Sequence, residues 1–296
     1  MTGQVDLKHE PVMLGPVLKW LVDEPGVYVD ATLGNGGHAE HVLARHPDNR
    51  VVGIDQDPEA LERSRARLGV FGDRVHYVHG NFAHLSALVP ADWQPVRGIL
   101  FDLGVSSPQL DDAGRGFSYQ QDALLDMRMN PQDERTAFRL VNMADKAELT
   151  RIIRDYGEER WAGRIADFVV NARRREPIRT TGQLVDIIKA SIPAAARRTG
   201  GHPARRTFQA IRMWVNQEPE SLDRGLDEAL NVVAHDGRIV VLSFHSLEDR
   251  VVKQRFRTWQ EAVRGTVLTK KPVMADADEI ARNPRSRSAK LRVFQH

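Results

Sequence analysis

The run Asp30-Ala-Thr-Leu-Gly34-Asn-Gly36-Gly37-His38 lies between an apolar, β-branched stretch and a helical pattern. Glycines at a strand-to-helix turn let the backbone reverse tightly and let a ligand approach where a Cβ would otherwise stand. Asp55 follows Gly36 by 19 residues and closes a second apolar run, where a carboxylate can accept both hydroxyl protons of a ribose. The combination points to a nucleotide-like ligand, and Gly34-x-Gly36-x-x-Ala39 formally satisfies the dinucleotide fingerprint as well. Two features favour S-adenosylmethionine over NAD. Asp30 stands before the glycines, where dinucleotide folds carry an apolar residue, and Asp102 opens a Gly/Ser/Pro-rich loop without a hydride-transfer partner. A ligand carrying ammonium and sulfonium charges is drawn to carboxylates and has no phosphate for a helix N-terminus to hold.

The chain of 296 residues contains no cysteine, so a thiol nucleophile, a Cys-ligated metal and a disulfide framework are all excluded. Its 41% hydrophobic and 28% charged residues are those of a globular protein with a real core. No window is apolar enough for a membrane helix, and the start MTGQVDLKHE has no signal-peptide pattern, so a cytoplasmic location is expected. The net charge of +2 hides an uneven distribution. Arg250 to the C-terminus carries +8 and Arg173–Arg206 carries +7, leaving −13 on everything else. Two basic segments on an acidic body suit a polyanionic partner.

These groups need elements to hold them. Strands are expected at Val27–Thr32, Arg50–Asp55, Val75–His79, Gly98–Asp102, Gly237–Phe244 and Lys290–Phe294, with helices at Gly36–Arg45, from Pro58 to Leu68, and from Pro219 to Val233. Such alternation reads as βαβ units around a parallel sheet. Between Asp102 and Gly237 the strand signals stop. The stretch Leu103–Asn130 reads as a long functional loop, followed by helices at Lys146–Tyr156, Glu158–Arg173, Thr181–Ser191 and Pro203–Gln217. The segment Val273–Ser288 is polar enough to read as a mobile loop. The fold expected is therefore α/β: a doubly wound, Rossmann-like sheet formed by residues 1–105 and 216–296. Residues 106–215 form a loop plus an all-helical insertion.

Several longer strings make a resemblance nameable: His9-Glu-Pro-Val-Met-Leu14, Gly34-Asn-Gly-Gly-His38, Phe101-Asp-Leu-Gly-Val-Ser-Ser-Pro-Gln-Leu-Asp-Asp112, Leu125-Asp-Met-Arg-Met129, Tyr156-Gly-Glu-Glu-Arg160, Arg206-Thr-Phe-Gln-Ala-Ile-Arg212 and Ser243-Phe-His-Ser-Leu-Glu-Asp-Arg250. With these, essentially the whole chain resembles the RsmH (MraW) methyltransferases. The resemblance implies the Rossmann-like class I methyltransferase form of that sheet, and methyl transfer from S-adenosylmethionine to the exocyclic N4 amine of a cytidine in the decoding region of small-subunit (16S) ribosomal RNA. It implies that Gly36, Gly37 and His38 line the methionine part of the cofactor, with Asp55 at the ribose, Phe82 beside the adenine, and Asp102 and Gln109 at the far side of the pocket.

Methylation at carbon-5 of cytosine needs a thiolate adduct, which this chain cannot form, whereas an exocyclic amine can attack a sulfonium methyl directly. The site must then orient the amine and accept its proton. Asp102 is the candidate catalytic group, beside the Ser106 and Ser107 carbonyls and Pro108. Phe117 and Tyr119 are candidate stacking partners for an unpaired base, while Phe208 and Trp214 fit a helix core better. His202, Arg205, Arg206 and Arg212 are candidates for RNA contact, and His245 for a wall of the target pocket. His245, Glu248 and Asp249 resemble a metal set, but acids there suit a helix N-terminus, so no metal is expected. The partner expected is small-subunit ribosomal RNA or the ribosomal subunit itself, with a homodimer left open. The rival readings are an N4-cytosine DNA methyltransferase and an RNA-binding assembly factor.

Overall fold

The computed structural model describes residues 10–197 and 201–296, so His9 and Arg198 lie outside it. The chain divides into two compact units: Met1–Gly104 with Pro219–His296, and Val105–Glu218.

The first unit is built on β1 (Val27–Asp30), β2 (Arg50–Asp55), β3 (Val75–His79), β4 (Val96–Asp102), β5 (Val233–Ser243), β6 (Thr266–Val267), β7 (Val273–Met274) and β8 (Lys290–Gln295). The order along the sheet is β3-β2-β1-β4-β5-β8-β6, and β7 pairs with β8 at the same edge. Strands β1 to β5 run parallel, and β8 is antiparallel to β5. The central strands are apolar along their whole length because helices cover both faces. One face packs Val29, Ile54, Ile99 and Phe101 against Leu226 and Phe256, and the other packs Tyr28, Val51 and Leu100 against Val17, Leu21 and Val42. This is the doubly wound α/β sheet anticipated from the pattern, in the Rossmann-like class I methyltransferase form that the resemblance implied. Among the described residues, no helix is long and apolar enough to cross a membrane.

Helices α1 (Leu14–Leu21), α2 (Gly37–Arg45) and α3 (Pro58–Leu68) flank the glycine turn. Asp57 caps α3 by accepting the Glu59 N–H at 3.1 Å, and Pro58 takes the first-turn position that needs no donor. A glycine inside β2, Gly53, makes room for Leu33: a Cβ there would lie 2.6 Å from the Leu33 side chain.

The second unit is helical, with helices at Ala137–Met143, Lys146–Asp155, Ala162–Arg173, Thr181–Ser191 and Arg205–Val215 around one apolar core. Thr180 and Gln183 form a capping box on the fourth of these helices. Ala162–Arg173 starts later than the periodicity suggests, because Gly157 and Glu158 form a turn. A Cβ on Gly157 would lie 2.6 Å from the Arg206 carbonyl oxygen, and Glu158 has φ +48°. The long stretch after Asp102 is largely a packed strap. It carries a short helix at Ser107–Asp111 and buries Phe117, Leu125, Met127 and Met129 in the helical core. The Asn216 carboxamide clamps it, donating to Met127 O at 2.8 Å and accepting from Met129 N at 2.7 Å. Val273–Ser288 is likewise not a free loop. It contains β7, a helix at Ala277–Arg282 capped by Asp276, and a 3-10 turn at Pro284–Ser288.

Candidate active site

The sheet order reverses between β1 and β4, and ligands in open α/β sheets bind beyond the carboxyl ends of the strands at such a point. There the first unit gathers Asp30 from β1, Asp55 from β2, Asp102 from β4 and the Gly34–His38 turn. Gly34 has φ +51° and Gly36 φ +74°, both left-handed, and Gly36 serves as the N-terminal cap of α2. A Cβ on Gly36 would come 2.9 Å from Leu68, and one on Gly37 would come 2.7 Å from Pro11. Asp55 ties this turn to β2, accepting the Gly34 N–H at 2.7 Å and the Asp57 N–H at 2.8 Å through different oxygens. A carboxylate has about four lone-pair sites, so a ribose diol can still bind. The Asp102 backbone N–H is held by Thr32 Oγ1 at 2.7 Å, a link that sequence reading missed although Thr32 lies inside the turn motif.

Three titratable side chains converge. His38 Nε2 lies 3.5 Å from Asp102 Oδ2, and Asp30 is electrostatically coupled to both. His38 is 5% exposed, yet neither ring nitrogen has a hydrogen-bond partner among the described residues, and Asp102 Oδ1 is buried and unpartnered too. Burial pushes the Asp30 carboxyl from its ordinary 3.8 up to about 7, with His38 pulling it down and Asp102 pushing it further up. Burial likewise raises Asp55 to about 6 against the Asp57 and Gly34 N–H bonds that favour its charge. Phe82 is half-buried, edge-on to Phe101 at 5.4 Å, and pinned by Gly225, where a Cβ would approach within 2.6 Å.

His245 sits after β5, but its ring is engaged. Nδ1 accepts the Glu248 N–H at 3.3 Å and Glu248 Oε2 accepts the His245 backbone N–H at 3.3 Å, forming the capping box of the Ser246–Glu261 helix, while Nε2 lies 3.0 Å from Glu248 Oε1. Asp249 is held by Arg292 at 2.6 Å and Lys290 at 3.2 Å. Burial alone would raise Asp249, but these two cations bring it below the usual carboxylate range.

The remaining candidates belong to the second unit. Ser106, Ser107 and Pro108 are half-buried at the start of the short helix. Gln109 is buried, and its side-chain oxygen accepts the Ser106 N–H at 3.0 Å. Arg205 and Arg206 are exposed, with Arg206 donating to the Glu158 carbonyl. His202 stacks on Tyr119 with ring centroids 4.5 Å apart; burial and Lys189 hold its pKa below the usual imidazole range. Two expectations need correction. Phe117 is 5% exposed inside the helical core, so its ring has no free face for a base. Arg212 is committed to Glu218 through two bonds of 2.8 Å, which takes it out of the cations available to phosphate.

The description "MraW methylase family" matches residues 6–296. The chain belongs to that family. Relatives run along its whole length. Ribosomal RNA small subunit methyltransferase H of Symbiobacterium thermophilum is 51% identical over 302 residues, covering 96% of this chain and 95% of that protein. The protein of the same name in Geobacter sulfurreducens is 51% identical over 305 residues, covering 97% and 98%. Among solved structures, a putative methyltransferase from Streptococcus mutans in complex with SAH is similar at TM-score 0.44 and 12% identity, covering 95% of this chain and 94% of that one. The donor set of the site fits S-adenosylmethionine. Buried carboxylates meet a cationic ligand, unpartnered polar atoms on His38 and Asp102 await one, and glycine backbone leaves room for it.

Proposed function

We propose that the protein transfers the methyl group of S-adenosylmethionine to the exocyclic N4 amine of a cytidine in the decoding region of small-subunit ribosomal RNA. The observation that carries this reading is Asp102. Its buried, unpartnered Oδ1 stands beside the glycine turn at the end of β4, as an acceptor for an amine proton must. Full-length relatives named for small-subunit ribosomal RNA supply the substrate class. The absence of any cysteine supports nitrogen over carbon-5 of a cytosine, because nitrogen needs no thiolate adduct.

When bound, S-adenosylmethionine supplies an electrophilic methyl on a sulfonium. Gly36, Gly37 and His38 line its methionine part, Asp55 takes the ribose, Phe82 flanks the adenine, and Asp102 and Gln109 close the far side. Asp30 and Asp102 set a negative field toward its cationic end. On the RNA side, the 105–218 unit binds the strand, with exposed Arg205 and Arg206 on phosphates and the His202–Tyr119 stack beside the splayed nucleotide. Ser106, Ser107 and Pro108 border the target base. Its substrate is the RNA or the subunit in the cytoplasm, and nothing in fold or relatives speaks for a homodimer.

The test is incubation with methyl-labelled S-adenosylmethionine and either naked ribosomal RNA or isolated small subunits, followed by nucleoside analysis. Label in N4-methylcytidine is expected from at least one substrate. Label absent from that nucleoside in both overturns the assignment.

A further inference from the structure

We propose that His38 and Asp102 act as a dyad in which His38 is a positioning residue, holding the Asp102 carboxylate with Oδ1 turned to the substrate amine. The inference rests on the reading that an amine is the methyl acceptor. Three observations carry it. His38 follows directly on the glycine turn and is 5% exposed, and its Nε2 points at Asp102 Oδ2 from 3.5 Å. Its two ring nitrogens and Asp102 Oδ1 are all buried without a hydrogen-bond partner among the described residues. Other histidines of the unit are spent on backbone: His41, one turn on, bonds the Gly37 carbonyl through Nδ1 at 2.9 Å, and His245 caps its helix. His245 leaves one buried ring nitrogen unpartnered while His38 leaves both, and burying two unpaired polar groups is costly.

The geometry also separates what is fixed from what is poised. The Thr32 hydroxyl fixes the Asp102 main chain, and among the described residues His38 is the ionic neighbour of the carboxylate beyond it. The ionisable groups facing the imidazole are Asp102 from β4 and Asp30 from β1, with Asp55 of β2 coupled to Asp30. Unliganded catalytic hydrogen bonds are commonly long and tighten in the reactive complex, so 3.5 Å is a resting distance that a small rotation closes. With Nε2–H donating to Oδ2, Oδ1 is left as the free acceptor. The amine nitrogen forms its bond to the methyl carbon while the sulfur–carbon bond breaks and its pair stays on sulfur. The proton displaced from the amine goes to Asp102 Oδ1, giving a carboxylic acid that returns the proton to solvent as product leaves.

The test compares His38→Ala and His38→Gln with wild type, measuring kcat at saturating RNA and, separately, the Kd for S-adenosylmethionine without RNA. The alanine variant is expected to lose at least about 30-fold in kcat with a Kd that rises several-fold less than kcat falls, since His38 also lines the cofactor, and glutamine, whose amide NH2 can reach Oδ2, to recover most of the loss in kcat. Equal losses in kcat and affinity, or glutamine no better than alanine, overturn the dyad and leave His38 as a cofactor contact. A second readout needs no RNA and no cofactor. In 15N spectra of the free protein, the His38 Nε2 resonance should shift between wild type and Asp102→Asn while that of His41 stays put, and an unmoved His38 resonance also refutes the proposal. Failure of wild type to label N4-methylcytidine would sink the amine reading instead, since this spectrum is read without turnover.

Discussion

Replacing Asp30 by asparagine separates the cost of a buried carboxylate from its use. The carboxyl is 4% exposed and titrates near 7, against an ordinary 3.8. Its folded value is raised, so the protein is unpenalised below about pH 4, loses stability as pH rises toward 7, and loses no more above that. At about 1.36 kcal/mol per unit, the full penalty is about 4 kcal/mol, of which about 3 kcal/mol develops between about pH 5 and pH 8. Asparagine has the same shape and keeps an oxygen for the Thr32 N–H that Asp30 now accepts at 3.3 Å. Urea unfolding of the cofactor-free protein should therefore find Asp30→Asn more stable than wild type at alkaline pH, with the gap shrinking steadily on acidification. Calorimetry should show the converse for function: S-adenosylmethionine binds wild type more tightly as Asp30 ionises, and the variant shows a flatter profile over that window. A stability gap independent of pH, or a variant less stable than wild type at about pH 8, would refute the argument that desolvation of Asp30 is the dominant charge cost in the site.

Asp102→Asn should cut turnover by about 100-fold or more while the Kd for S-adenosylmethionine changes less than about threefold; near-normal turnover with collapsed binding removes the catalytic role. Gly36→Ala must adopt φ +74° and push against Leu68, so a loss of about 1–3 kcal/mol in chemical denaturation is expected together with weaker cofactor binding, and an unchanged midpoint would show the turn to be tolerant. Arg205→Glu should weaken RNA binding, lower its salt slope by about one and leave cofactor affinity alone; an unchanged slope takes Arg205 off the RNA surface. Arg292→Leu leaves the mostly buried Asp249 carboxylate with Lys290 as its partner and should cost about 2 kcal/mol, with Asp249→Leu added in the same chain recovering part of it, as a double-mutant cycle will read.

Local signals located elements well where punctuation was strong. Arg50–Asp55, Val75–His79 and the Pro58–Leu68 helix match residue for residue, the last because Asp57 and Pro58 mark its start in the sequence itself. The start of β5 was not legible. Asp236 has φ +64° and the pairing with β4 shifts register between Val96 and Gly98, so the strand begins at Val233 where the apolar alternation is broken. Burial in the second unit was not legible either. Phe117 sits among Gly, Ser and Gln, the neighbours of an exposed loop, and only helices brought in from distant sequence cover it. The same limit governs the site. The glycines and Asp55 announce themselves by spacing, but the approach of His38 to Asp102 joins positions whose proximity is a property of the sheet order.

The charge pattern needs the same discrimination, because a run of cations in sequence is not a count of cations facing RNA. Arg173 spends its guanidinium on the Val141 and Ala144 carbonyls, Arg212 pairs with Glu218, and in the other unit Arg292 pairs with Asp249 and Arg255 with Asp223 and Asp227. Between Arg173 and Arg206, the described arginines exposed to solvent are Arg174, Arg175, Arg179, Arg197, Arg205 and Arg206. At about 0.7 counterions released per phosphate contact on single-stranded RNA, these six set a ceiling of about 4 on the salt slope that they can supply. A measured slope steeper than that requires cations from elsewhere, with exposed Lys270, Lys271 and Arg287 of the first unit as the next candidates, and charge-reversal of those three would then reduce it. A slope at or below the ceiling that disappears on reversing the segment's arginines confines the electrostatic footprint to the helical unit.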